Sequence, residues 1–372
     1  MLGISALPAF VLGVFAGPMT GEFGWTLGSF QAGTLVYTFG VLLCSPLIGI
    51  LCDRHGARAV ACIGMPLSAL GIAGFALVQP SVWSWYAAML VAAVLSSGTM
   101  PAVWTRMVNA LFVERRGLAL GLVLSGSGLF ALFGAPFAQS LIENLGWRAA
   151  WVGLALLPLL LGGPLVYHLF RGDDGAASAG GLQAAAGGPV VSRAEALRGY
   201  RFWVIAAAFG LASLGVGAFN ANLVGVLGVS IALGRLAIGF VIDRVGAPGV
   251  AACVLSLPAI GAWLMAGPIV TPTTAILAIA LLGFAQGAEY DFLAFLAARY
   301  FGMRHYGALY GLLVIPVAVA TAIGAAGMGY VRDLTGSFNA GLPWIGAAFV
   351  VGGTLLLSLG RYPPVPPARA AR

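Results

Sequence analysis

The chain has no lysine, and only 8% of its 372 residues are charged. A phosphate-cradling loop of the Gly-Lys-Ser/Thr type needs that ammonium against the phosphates, so primary transport powered by nucleotide at this chain is excluded. Cysteine is scarce too. Cys44, Cys52, Cys62 and Cys253 show neither a CxxC pair nor ligand spacing, and are expected to be small buried residues. His55, His168 and His305 all sit in or beside connections between apolar runs and read as interfacial residues rather than metal ligands, so no metal and no cofactor is expected. The apolar runs hold no nucleophile–base pair, which argues against an enzyme.

What is abundant is apolar surface. Sixty per cent of the residues are hydrophobic, against roughly 45–50% in a soluble domain. Twelve runs approach the length of about 20 residues that a bilayer core requires: roughly 2–19, 28–51, 59–79, 83–113, 117–141, 149–170, 203–220, 223–242, 248–268, 273–298, 307–331 and 340–360. Spans seven and eight are tight, with almost no connection between them. Span one has no basic region ahead of it and is read as a retained helix rather than a cleaved signal. The expected class is an all-α polytopic membrane protein.

A net charge of +7 is compatible with a nucleic-acid partner, but its placement argues otherwise. Arg54 and Arg58 follow span two, Arg115 and Arg116 span four, and Arg171, Arg193, Arg198 and Arg201 span six. Arg244 follows span eight, Arg299 and Arg304 flank the end of span ten, and Arg361, Arg369 and Arg372 follow span twelve. The odd-numbered connections hold only Arg148 and Arg332. Positive residues stay on the cytoplasmic side, which puts both termini there, in a plasma membrane (for a bacterium, the inner membrane).

The stretch Gly49-Ile-Leu-Cys-Asp53-Arg54-His-Gly56-Ala-Arg58 returns, each landmark shifted by 190, as Gly239, Asp243, Arg244 and Gly246. Gly117 and Gly121 return as Gly307 and Gly311, and Gly146 as Gly336, at the same offset. A six-span unit is therefore duplicated in parallel. The expected organisation is a bundle over 1–170, a Gly/Ala-rich linker over 171–202, a second bundle over 203–360 and a tail over 361–372. Ser192-Arg-Ala-Glu195 in the linker has the pattern of a capping box.

At Gly-x-x-x-Asp-Arg-x-Gly-x-Arg the sequence resembles the major facilitator superfamily, over essentially its whole length. The second copy has Pro248 where Arg58 would map. The resemblance implies about twelve helices in two six-helix bundles related by a pseudo-two-fold axis, with the motif residues Gly49, Asp53, Arg54, Gly56, Arg58, Gly239, Asp243 and Arg244 gating the cytoplasmic side. Finer features are similar to the monocarboxylate and oxalate/formate branch: Leu111-Phe-Val-Glu-Arg115-Arg116-Gly117-Leu-Ala-Leu-Gly121, Glu22-Phe-Gly-Trp25 and Gly234-Arg235-Leu-Ala-Ile-Gly239. That branch uses an arginine at the position of Arg235 to hold the substrate carboxylate. The chain departs from it twice. No basic residue stands in 307–331, where the oxalate/formate relatives have a lysine, and Ile231 replaces the aspartate of the proton-linked monocarboxylate relatives.

Depth arithmetic bears on the same residue. Arg235 lies nine residues before Arg244, which at 1.5 Å per residue is roughly 13–14 Å below the surface, near the middle of the core. Arg106 lies nine residues before Arg115, at similar depth in the other half. Each costs about 2.5–3.5 kcal/mol to insert, and two guanidiniums at one depth suit an anion between the halves. In span ten, Glu289 and Asp291 lie two residues apart and so face different ways. Asp291 stacks over Gly287 and Gly283 and reads as a packing residue, a partner for an arginine. Glu289 shares its face with Gln286 and reads as the proton-coupling group.

The sequence thus points to a monomeric secondary transporter of small organic anions, mono- or dicarboxylates, coupled to protons or to a counter-anion. Its other partner is the lipid bilayer. The alternatives are an efflux pump for hydrophobic compounds and a transport-inactive membrane sensor or scaffold.

Overall fold

The computed structural model describes residues 7–112, 116–169, 191–219, 224–242, 244, 246–267, 270–360 and 362. These residues form helices and no strand. In chain order they are α1 (Leu7–Phe23), α2 (Leu27–His55), α3 (Ala57–Ala73), α4 (Val82–Ser96), α5 (Pro101–Leu111), α6 (Arg116–Leu156) and α7 (Gly163–Leu169). There follow α8 (Arg193–Arg198), α9 (Tyr200–Phe219), α10 (Val224–Val241), α11 (Ala247–Met265), α12 (Pro272–Phe301), α13 (Tyr306–Thr335) and α14 (Leu342–Leu355). Nine stretches of the described residues are long and apolar enough to cross a bilayer. Two shorter apolar helices, Gly117–Gly126 and Val229–Val241, mark spans five and eight.

Local chemistry explains where the spans break. Span four is two helices, because a short 3₁₀ turn at Ser97–Thr99 precedes Pro101, which opens α5 at its first turn. Spans five and six run together as α6, and the one non-helical residue inside it is Gly146, with φ 79°. Only glycine adopts that conformation without strain, and its mate at the 190 offset, Gly336, has φ 72°. In the linker, Ser192 and Glu195 form the expected capping box at the start of α8.

The outward faces carry many exposed apolar side chains. Leu43, Leu47 and Leu51 follow one another at helical spacing along α2 and are all exposed, a stripe that only hydrocarbon can cover. Of the four cysteines only Cys52 is buried; Cys44 and Cys62 are half-buried and Cys253 is exposed, so the expectation of four buried thiols holds for one of them, a thiol being apolar enough for lipid. Inside, α1, α2, α4 and α6 close an aromatic cluster in which Phe15 stacks on Trp151 at 3.9 Å and Phe30 on Trp85 at 4.9 Å.

The halves meet along two seams, α2 with α13 and α6 with α10. Both are made of glycine. A Cβ on Gly49 would strike the carbonyl of Gly307, and one on Gly239 the carbonyl of Gly117. A Cβ on Gly311 would strike the carbonyl of Ser45, and one on Gly121 that of Arg235. These contacts repeat at the offset of 190, since Ser45 maps onto Arg235 and Gly121 onto Gly311. Helices without a hydrophobic drive to associate in lipid come together by such backbone approach. The seams lie at the end of the bundle that carries the linker, so this end is closed. Gly121→Val should open it: a single cysteine at Ser45 in a cysteine-free background should then be labelled severalfold faster from the linker side. Unchanged labelling would mean that the glycine seam does not set the closure.

Candidate functional site

Two groups of buried charge lie behind these seams. The first is built on Asp53, in the last turn of α2 and 8% exposed. Its Oδ1 accepts the backbone N–H of Gly307 at 3.0 Å and its Oδ2 that of Ala308 at 3.1 Å. These are unpaired donors at the start of α13, where the helix dipole favours an anion. Arg106, from α5, donates to the same Oδ1 at 2.5 Å and to the carbonyl of Met303 at 3.4 Å.

Beside this latch runs an uncharged one. The Tyr306 hydroxyl donates to Thr105 Oγ1 at 2.9 Å and accepts from Asn109 Nδ2 at 3.2 Å. Thr105 passes its own proton to the carbonyl of Pro101 at 2.8 Å, so the chain of donors is consistent. Asn109 Nδ2 also reaches the carbonyl of Ala294 at 3.4 Å, so this layer ties α5 to α12 as well as to α13.

The second group surrounds Arg235 on α10, 7% exposed. Its Nη1 lies 3.4 Å from Asp291 Oδ1 on α12. Arg235 Nε and Asp291 Oδ2 have no hydrogen-bond partner. Glu289, one helix face away on α12, meets the hydroxyl of Ser213 on α9. The backbone beneath is fixed by close packing, since Gly234 abuts the carbonyl of Phe284 and Gly287 that of Ile231.

The two arginines that depth arithmetic paired thus have different partners. Arg106 has its charge met by Asp53 within the latch, whereas Arg235 faces α12. Distance along a helix sets depth but says nothing of direction around the axis. Of the other motif residues, Arg54 is exposed, and Gly56 turns the chain into α3 with φ 83°. Arg58 donates to the carbonyl of Tyr167 at 3.1 Å, Gly49 and Gly239 sit in the seams, and Arg244 lies over the Phe240 ring at 3.8 Å. Asp243 falls outside the described residues. Between α12 and α13, burial pushes the His305 imidazole below its ordinary value, and Arg193 and Arg304 add to the shift. Ser213, Thr105, Asn109, Tyr306 and Tyr310 escaped the sequence reading. Their one signal was a polar group placed singly, or at i and i+4, in an apolar helix.

Helical seams of glycine around buried, internally paired charges define a polytopic transport fold rather than a soluble bundle. The chain belongs to the Major Facilitator Superfamily, whose profile matches residues 1–225, and it is a membrane transporter of that group. It is similar to Monocarboxylate transporter 13 of Rattus norvegicus, 28% identical over 346 residues that cover 89% of this chain and 78% of that protein. Monocarboxylate transporter 11 of Homo sapiens is 28% identical over 351 residues, covering 84% and 69%. In fold it matches the crystal structure of the human organic anion transporter MFSD10 with a TM-score of 0.70 at 18% identity, over 95% of this chain and 96% of that one.

The Asp53 latch makes a direct prediction. Asp53→Asn strands a buried guanidinium, a change worth roughly 3–5 kcal/mol in a buried pair. The thermal midpoint should fall, and Asp53→Asn combined with Arg106→Gln should recover part of the loss. If the double variant is as unstable as the sum of the singles, the two side chains are not coupled.

Proposed function

We propose that the chain carries small organic monoanions, chiefly monocarboxylates, across the plasma membrane together with a proton. The linker end is taken as cytoplasmic, and the bundles over 1–170 and 203–360 alternate in access to the two sides. The observation that carries this reading is the charge count at Arg235: one guanidinium stands in reach of two buried carboxylates, Asp291 and Glu289. An added anion would leave the group strongly negative in a medium that solvates charge poorly. It can enter only if a carboxylate is neutral, so anion and proton arrive together.

We assign Glu289 as the proton carrier: it is buried, and the Ser213 hydroxyl, which also lies 2.8 Å from the carbonyl of Phe209, donates to it. A single hydroxyl donor leaves an ionised carboxylate there poorly compensated. Asp291 is the internal counter-ion of Arg235, which a substrate carboxylate would replace. The absence of any basic residue in 307–331 suits a monoanion better than a dianion. The names of the relatives, transporters of monocarboxylates and of organic anions, agree with this assignment.

Two outcomes test it in proteoliposomes. Arg235→Lys offers a point charge in place of a planar fork, and uptake of a labelled monocarboxylate should fall by roughly ten- to a hundredfold, the worth of one charge-assisted hydrogen bond. Equal uptake by the two proteins would sink the assignment of Arg235. Glu289→Gln should abolish accumulation driven by a pH gradient and spare exchange at equal concentrations, because exchange requires no net release of a proton. Accumulation that survives in Glu289→Gln would favour anion exchange without proton coupling.

A further inference from the structure

One hydroxyl in this region has no assigned work. Tyr310 on α13 is fully buried, and its hydroxyl has no hydrogen-bond partner. Its ring stacks on that of Tyr306 with centroids 5.6 Å apart. Arg235, Asp291 and Tyr290 all lie within its electrostatic reach. Buried hydroxyls are nearly always satisfied, and an orphan calls for an explanation such as a missing ligand. Two of these residues carry orphans of their own, Arg235 Nε and Asp291 Oδ2. Arg235 Nε–H is a donor left without an acceptor, and the Tyr310 hydroxyl is able to donate as well. The group that would satisfy both is an acceptor with several lone pairs, and a carboxylate is one.

We propose that the Tyr310 hydroxyl is the second donor to the substrate carboxylate, beside the Arg235 guanidinium, and that it ties occupancy of the site to the latch. This rests on the reading of Arg235 as an anion ligand. The tie follows from where Tyr310 stands. It lies three residues beyond Gly307, whose N–H is held by Asp53, and four beyond Tyr306, whose hydroxyl bonds Thr105 and Asn109. The first turn of α13 is thus fastened to the N-terminal helices, and Tyr310 stands in the next turn, within electrostatic reach of Arg235. An anion held by both Arg235 and Tyr310 would bridge α10 and α13, the two helices of this half that form the seams. Occupancy then bears on both seams at once, which a ligand held by α10 and α12 alone would not achieve.

The test uses the purified full chain, with thermal stabilisation by acetate, propionate and benzoate, and propionamide as the uncharged control. Tyr310→Phe removes only the orphan hydroxyl, so without ligand it should melt at or above the wild-type midpoint. Its apparent Kd for propionate should rise about tenfold, the loss of one hydrogen bond to a charged acceptor. Arg235→Gln should lose the stabilisation altogether. If Tyr310→Phe binds propionate like the wild type while Arg235→Gln does not, Tyr310 is no ligand and the reading of Arg235 stands. A lower midpoint for the empty Tyr310→Phe protein with unchanged Kd would also overturn the proposal, showing a packing role. If Arg235→Gln binds as the wild type does, or if no carboxylate stabilises the wild type, the reading of Arg235 falls and the inference falls with it.

Discussion

A carboxylate from one half of the molecule caps a helix of the other. Within a bilayer no water is available to take the free N–H groups at a helix start, and α13 begins where the two halves touch. Asp53 supplies the acceptor for Gly307 and Ala308, and Arg106 balances the charge it brings. The rest of the closed end depends on this. Gly49 can approach Gly307, and Gly311 approach Ser45, only while the first turn of α13 is held in place. Ser45 Oγ then adds a bond to the carbonyl of Gly311 at 3.1 Å. The same turn presents Tyr306 to Thr105 and Asn109. One capping interaction therefore fixes the height and rotation of α13, and the glycine seam follows.

The duplication makes the second seam a control for the first. Backbone contacts are shared, glycine against carbonyl at positions 190 apart, yet the side chains have diverged. Leu296, fully buried, stands where Arg106 would map, and Arg235 stands where Ser45 would map. One seam has its cation behind the motif carboxylate. The other has its cation one helix face further, turned to α12. In the proposed cycle these differences divide the labour: the α2–α13 seam holds the closed state, and the α6–α10 seam reads the ligand. The chemistry is concentrated where the repeat is broken, because an identical pair of seams would offer two latches and no binding group.

Much of this was legible in the sequence. Apolar runs are demanded by the bilayer itself, so the nine described spans fall on the runs that composition marks, and the offset of 190 exposed the repeat. The capping box at Ser192 followed from hydrogen-bonding chemistry confined to four residues. What stayed hidden is azimuth. Arg106 and Arg235 have the same arithmetic depth, but the break at Ser97–Met100 turns α5 independently of α4, and Arg106 swings to Asp53. Glu289 and Asp291, two residues apart and so roughly 200° around the helix, could be assigned to different faces but not to particular neighbours. The structure gives them α9 and α10 respectively. The family resemblance led to a subtler gap. The aspartate it places at 231 is Ile231 here, and the carboxylate facing Arg235 is Asp291 of the adjacent helix, which the sequence marked as a partner for an arginine without saying which one.

The two buried ion pairs also differ in how completely they are satisfied, and that difference separates structure from chemistry. Asp53 is engaged through both oxygens, by a guanidinium at 2.5 Å and two backbone donors. Its removal from water is offset by bonds from several directions, which is what a buried charge needs to be stable. Asp291 and Arg235 make one long contact at 3.4 Å, with an oxygen and a nitrogen left over. A buried network that is only partly satisfied gains little from its present partners, so exchange for a better one costs little. The helices that carry it cannot adjust, because Gly234 and Gly287 already bring α10 and α12 to backbone contact. The side chains must change partners on a fixed frame. In the proposed cycle, a loosely paired arginine on a rigid pair of helices, beside a tightly paired one on the helix end that closes the bundle, would let an anion enter without loosening the latch first.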